Sequence, residues 1–163
     1  IRTHGLVTAS IATAVHGGNL SVAAADAETD ARTPAPAARQ ASRAQGRGLV
    51  RLARRVWPGH QWDELGATPH LAVAAGALGM AAGVTSKHTA VQVVYTTMTG
   101  SATAGQRLLA LDPADVAALS FELSPLCEQT AAEACAGLAD LSDPVLDELA
   151  QRHLQRPQPL FVS

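Results

Sequence analysis

A chain of 163 residues and 16.7 kDa, with 12 Lys+Arg against 14 Asp+Glu and a formal net charge of -2, fits one domain spanning 1–163 whose core needs no metal or disulfide staple. Near-neutral charge and five aromatic residues exclude a simple nucleic-acid binder, which relies on surplus cations and stacking platforms. Apolar residues make up 47%, mostly Ala, Leu and Val, which favours close-packed helices over a sheet; the expected class is all-α.

Residues 5–27 read as a first helix, weakened or kinked at Gly17 and Gly18. Arg2, the apolar run from Leu6 to Val15 and the small residues Ala23 to Ala25 imitate a secretory signal, but Thr8, Ser10, Thr13 and His16 interrupt the run. A buried first helix is the reading adopted. The acidic group Asp26, Glu28 and Asp30 follows it, and the turn at Thr33 to Pro36 can start the next helix. The second helix, Ala37 to Trp57, carries Arg39, Arg43, Arg47, Arg51 and Arg55 at four-residue spacing, with Leu49, Val50, Leu52, Ala53 and Val56 as its apolar face. Pro58 ends it, and the loop from Trp57 to Trp62 brings two indoles over the core.

A third helix, Pro69 to Ala82, has small residues at Ala72, Ala75, Gly76, Gly79 and Ala82 that let a neighbouring backbone come close, and Gly83 caps it. The fourth runs from Ser86 to Leu111, with Gly100 and Gly105 as candidate kinks. Asp112-Pro113 supplies an N-cap and a proline at N1 for a fifth helix to Leu138; Ser142-Asp143-Pro144 repeats the device for a sixth to Leu154. Pro157 and Pro159 then force an extended tail. The expected architecture is a bundle of about six helices. Its longest other apolar stretch, Leu71 to Val84, is 14 residues, short of the ~20 that cross a bilayer, so no membrane span is expected. Cys127 and Cys135, eight residues apart on one helix, would sit ~12 Å from each other and cannot bridge. Two reduced cysteines point to the cytoplasm.

No phosphate-cradling glycine loop with Lys, no G-x-S-x-G, no H-E-x-x-H and no C-x-x-C occurs, and no two of the six histidines are three or four residues apart. The expectation is a protein that is not an enzyme and has no resident cofactor or metal. Charge distribution says more than its sum. Six arginines fall between Arg39 and Arg55, whereas residues 108–151 hold nine acids and no Lys or Arg. Arginines so spaced repel one another, so acceptors are expected nearby, on an adjacent helix or on a partner.

Several stretches, in order, resemble the urease accessory protein UreF family in its high-GC actinobacterial form. They are residues 27–36; Ser42 to Leu49 with Leu52 to Pro58; Pro69 to Ala74 with Ala81 to Val84; Thr99 to Pro113; and the ending with Gln151-Arg152-His153 and Leu160-Phe161-Val162-Ser163. The resemblance implies an all-helical scaffold that joins the accessory protein UreD (also called UreH) to the GTPase UreG and so helps load nickel into apo-urease. The family's opening segment, with a Pro-Gly turn and a His-Ser pair, has no counterpart ahead of Ile1, so the chain reads as N-terminally truncated. Arg107 matches an arginine that the family carries in an apolar helix, and burial with hydrogen-bonded acceptors is expected for it. The partner-binding candidates are Arg39, Arg43, Arg47, Arg51, Arg107 and the tail residues Leu160, Phe161 and Ser163, the last three as a UreD contact. A homodimer is a further expectation. The residues alone leave one other class open, a generic all-α ligand-binding or regulatory domain, which would need a central apolar pocket.

Overall fold

The apolar run near the start is the central helix of the molecule. In the computed structural model, which describes residues 1–140 and 143–155 with the Leu154 side chain excepted, α1 spans His4–His16 and is buried on nearly every side. Its Val7, Ile11 and Val15 face one apolar cluster, and its Ala9 and Ala12 face another. A helix hydrophobic all round belongs in an interior. The polar residues that interrupt the run satisfy themselves: the hydroxyls of Thr8, Ser10 and Thr13 donate to the carbonyls of His4, Val7 and Ser10. Thr13 also reaches the Ala134 carbonyl at 3.0 Å.

Around it stand α2 (Val22–Ala31), α3 (Pro36–Val56), α4 (Leu71–Ala81), α5 (Ser86–Leu109), α6 (Pro113–Glu122), α7 (Ser124–Ala134) and α8 (Pro144–Leu154), with a 3-10 turn at Trp62–Leu65. No strand occurs among the described residues. The fold class is all-α, as expected, but where about six helices were expected the described residues form eight. The first expected helix breaks completely at Gly17 and Gly18, where Gly18 adopts φ +70, and restarts at Ser21, whose side chain accepts from the Ala24 N–H. The acidic group Asp26, Glu28 and Asp30 therefore lies within α2 instead of after the helix. The fifth divides at Ser124-Pro125, because proline has no N–H to donate to the preceding turn. By contrast, α5 runs unbroken through Gly100 and Gly105.

The first cluster joins Val7, Ile11 and Val15 to Val50 and Ala53 of α3, to Val73 and Ala77 of α4 and to Trp62 and Leu65. Trp62 is buried and donates its indole N–H to the Trp57 carbonyl, so one of the two indoles does cover the core while Trp57 packs half-buried beside it. The second cluster joins Ala9 and Ala12 to Ala90, Val93, Val94 and Met98 of α5 and to Cys127, Ala131 and Ala134 of α7. Small residues on α4 bring backbones together as expected: a Cβ on Gly76 would lie 2.5 Å from the Ala12 carbonyl oxygen. Cys127 is buried, Cys135 is exposed, and both are free.

The caps explain the remaining ends. Asp112 and Asp143 accept from the amides of Ala114 and Leu146, as their Asp-Pro context predicts. Helix α3 has no capping side chain of its own at Ala35. Its orphan amides are capped by α8: Ala35 N–H donates to Asp147 Oδ1 at 3.3 Å and Ala37 N–H to Gln151 Oε1 at 3.0 Å. A further bond, Thr3 Oγ1 to Asp143 Oδ2 at 2.9 Å, ties the start of α8 to the start of the chain. Among the described residues, no helix is long and apolar enough to cross a membrane.

Candidate interaction surfaces

The arginine stripe of α3 divides in two. Its N-terminal half turns inward to the acids of α2. Arg43 Nη1 donates to Asp26 Oδ2 at 2.8 Å and to the Thr68 carbonyl at 2.7 Å, and its Nη2 donates to Asp30 Oδ2 at 2.9 Å. Arg39 approaches Asp30 at 3.9 Å. His70, wholly buried at the start of α4, completes the network. Its Nε2 lies 2.9 Å from Asp30 Oδ1 and its Nδ1 3.0 Å from Ser42 Oγ, while the amides of His70 and Leu71 donate to Asp26 and Ser42. With Nε2 against the Asp30 carboxylate and Nδ1 against the Ser42 hydroxyl, both ring nitrogens have a partner. Among the described residues, no buried side-chain polar atom is left without a partner.

The electrostatics follow from this geometry. Burial works against a charge on Asp30, but the His70 hydrogen bond and the adjacent Arg43 outweigh it and hold the carboxyl below its ordinary range. Burial likewise opposes the Arg43 charge, and Asp26 and Asp30 outweigh it, so the guanidinium is held more firmly protonated. Asp26, Asp30 and His70 are also, among the described residues, the group of potential metal ligands whose atoms lie close enough to share an ion. Here the Arg43 guanidinium bridges both carboxylates and supplies the positive charge. The arrangement is an ion-pair lock joining α2, α3 and α4. Sequence reasoning placed Arg43 at a partner surface and overlooked His70; the polar positions Asp26 and Asp30, four apart on one helix face, were the available signal.

The C-terminal half of the stripe turns outward. Arg47 and Arg51 are exposed, as is Arg55, and no hydrogen bond or ion pair engages them among the described residues. Arg54 pairs with Asp63 at 2.7 Å on the surface. Arg107 corrects an expectation: it is exposed near the end of α5, not buried, and no hydrogen bond or ion pair engages it among the described residues. The physical reason is that Leu108, Leu109 and Leu111, which made its surroundings look like core, are themselves exposed, Leu109 at 69%. They adjoin α6, which has no buried residue and carries Phe121 at 80% exposure. Leu160, Phe161 and Ser163 lie outside the described residues.

A cavity of about 260 Å³ sits between α1, α2, α3 and α8, lined by Val7, Ile11, Thr29, Arg32, Ser42 and Leu146 among others. Arg32 at its edge is ion-paired with Glu28 and Asp140 and donates to the Ala139 carbonyl at 2.8 Å. The cavity lies below the ~300 to 1,000 Å³ typical of small-molecule sites, and its charged edge is already satisfied.

The polar residues at the heart of this bundle thus serve to fasten helices, and its outer surface carries exposed cations and apolar side chains, as accessory and other non-catalytic proteins do. The UreF family model matches residues 1–124, and the chain belongs to the UreF family. It is 75% identical over 166 residues to the urease accessory protein UreF of Mycolicibacterium vanbaalenii, covering all of this chain and 78% of that protein. It is 71% identical to the urease accessory protein UreF of Mycobacterium marinum and 69% identical to that of Mycobacterium tuberculosis H37Rv, in each case over all of this chain and 77% of the relative. No solved structure matches. Family membership places the chain in urease maturation as an accessory protein, not as the catalytic urease.

Proposed function

We propose that this chain is a scaffold of urease maturation that binds UreD (UreH) and the GTPase UreG together, and through them apo-urease, so that nickel is delivered into the urease active site. Nickel is cargo of the assembly; the chain holds no resident metal or cofactor and acts in the cytoplasm. The observation that carries the reading is its identity of at least 69% to urease accessory proteins along its whole length. Two features of the surface support it. The acid-free outer half of α3 and the exposed leucines and Phe121 of α5 and α6 offer separate faces for separate partners. The candidate partner residues remain Arg47 and Arg51 on the first face, Arg107 beside the second, and the tail residues Leu160, Phe161 and Ser163 for UreD. Arg39 and Arg43, turned toward Asp30, serve this role by holding α3 in position.

Deletion of the gene in a urease-positive host is the direct test. Urease apoprotein should accumulate without activity and recover when the chain is supplied in trans. Full urease activity in the deletion strain at limiting nickel would refute the reading. Removing residues 157–163 should abolish UreD binding while leaving helical circular dichroism unchanged; full retention of UreD would exclude the tail as its contact.

A further inference from the structure

The outer face of α3 has a composition that solvation alone does not require. Arg47, Arg51 and Arg55 stand in one row at four-residue spacing, and Leu52 and Val56, 56% and 54% exposed, form the adjoining row. Like charges so spaced on a helix repel, and an isolated helix would place acids between them. Here, among the described residues, no acid pairs with them, Glu64 past the end of α3 included. Residues 31–62 contain no acid, Asp26 and Asp30 are held by Arg43 with Arg39 beside them, and Asp63 is taken by Arg54. The row is about 12 Å long at the helical rise, the length of roughly two turns of a facing helix.

We propose that the face of α3 from Arg47 to Val56 is a docking surface for an acidic surface of a partner protein, whose carboxylates pair with Arg47, Arg51 and Arg55 and whose apolar side chains cover Leu52 and Val56. The proposal rests on the reading of the chain as a maturation scaffold and specifies the chemistry of one of its partners. Charge complementarity selects the occupant: three guanidiniums with no acceptor among the described residues call for carboxylates, and guanidinium pairs bidentately with them. A nucleic acid is disfavoured, because Leu52 and Val56 would lie against its phosphates and the whole chain carries a net charge of -2. A second copy is disfavoured too. Of its acids between 108 and 151, Asp140, Asp143 and Asp147 are already bonded to Arg32, Thr3 and the Ala35 amide, and Glu128 and Glu148 face Lys87 and Arg152, so few carboxylates are left to meet α3 of another copy.

The test immobilises the full chain and titrates purified UreD, UreG and apo-urease separately at about 50 and about 300 mM salt. The wild-type chain should bind one of them with an association rate that falls as salt rises. The double reversal Arg47→Glu/Arg51→Glu should slow that association by about tenfold at low salt and flatten its salt dependence. Arg47→Lys/Arg51→Lys, which keeps the charge, should recover most of the rate, and Lys87→Glu, a single charge reversal elsewhere, should leave it alone where the single reversal Arg47→Glu already slows it. Circular dichroism checks that each variant is folded. Wild-type association with an unchanged rate for the double reversal overturns the proposal and leaves the scaffold reading standing. Failure of the wild-type chain to bind any of the three overturns both. Reversal-sensitive binding of a short DNA duplex, or reversal-sensitive self-association by sedimentation, reassigns the face and overturns the proposal.

Discussion

Replacing Gly46 by Ala should destabilise the protein even though alanine is the better helix former. Gly46 lies in the middle of α3, where the helix crosses the start of α4. A Cβ there would sit 2.1 Å from the Pro69 carbonyl oxygen and 2.9 and 3.0 Å from the carbonyl carbon and oxygen of His70. These are backbone atoms, so no side chain can swing away. An ordinary carbon–oxygen contact is about 3.3 Å or more, which forces α3 and α4 apart by roughly 1 Å. That displacement stretches the Ser42–His70 and Arg43–Thr68 bonds, now 3.0 and 2.7 Å, beyond good geometry. Overpacking costs about 1 to 3 kcal/mol and the loosened network another ~1 to 2, against about 1 regained from helix propensity. The net loss is about 1 to 4 kcal/mol, read as a lower urea midpoint by far-ultraviolet circular dichroism. Gly48, two residues on, faces open space with nothing within 4 Å, so Gly48→Ala should add up to about 1 kcal/mol of stability and raise the midpoint. A Gly46→Ala protein as stable as wild type, or two substitutions shifting the midpoint in the same direction, would refute the reasoning.

Other outcomes follow from the same geometry. His70→Ala removes a buried ring and one hydrogen bond each from Asp30, which keeps Arg43, and Ser42, which keeps the Leu71 amide, and should cost about 2 to 4 kcal/mol in chemical denaturation. Asp30, held below its ordinary pKa of 3.8 by His70 and Arg43 despite burial, contributes stability that is present above that value and is lost as pH falls through the lowered one; acid titration of Asp30→Asn should show a shallower loss in this window. Asp147→Ala should remove one of the two caps that α8 gives α3, costing about 0.5 to 2 kcal/mol, with amide exchange rising first at Ala35. Ala110, which ends α5 at φ +50, should become more stable as Gly by roughly 1 kcal/mol in thermal melts.

The helical class was legible because Ala and Leu, apolar periodicity and Asp-Pro caps act locally and agree with one another. The burial of α1 was legible as well: a run of apolar residues interrupted only by Thr and Ser can sink whole into a core, since those hydroxyls bond their own helix carbonyls. What escaped was long-range. Nothing near Ala35 announces that its cap stands on α8, more than a hundred residues away. The periodicity that assembled the arginine stripe could not say which of its members turn inward, because that depends on where α2 carries Asp26 and Asp30 once Gly17 and Gly18 have broken the first helix. Arg107 was misplaced for a related reason: leucines mark a core only if another element covers them, and α6 covers none of Leu108, Leu109 and Leu111.

The central claim, that this chain joins two accessory proteins, is tested most directly by retention of UreG on immobilised UreD. UreG should stay on the UreD resin when the chain is added and wash through when it is omitted, with all three proteins eluting together in fixed ratio. UreG held equally well without the chain, or washing through in its presence, would contradict the account.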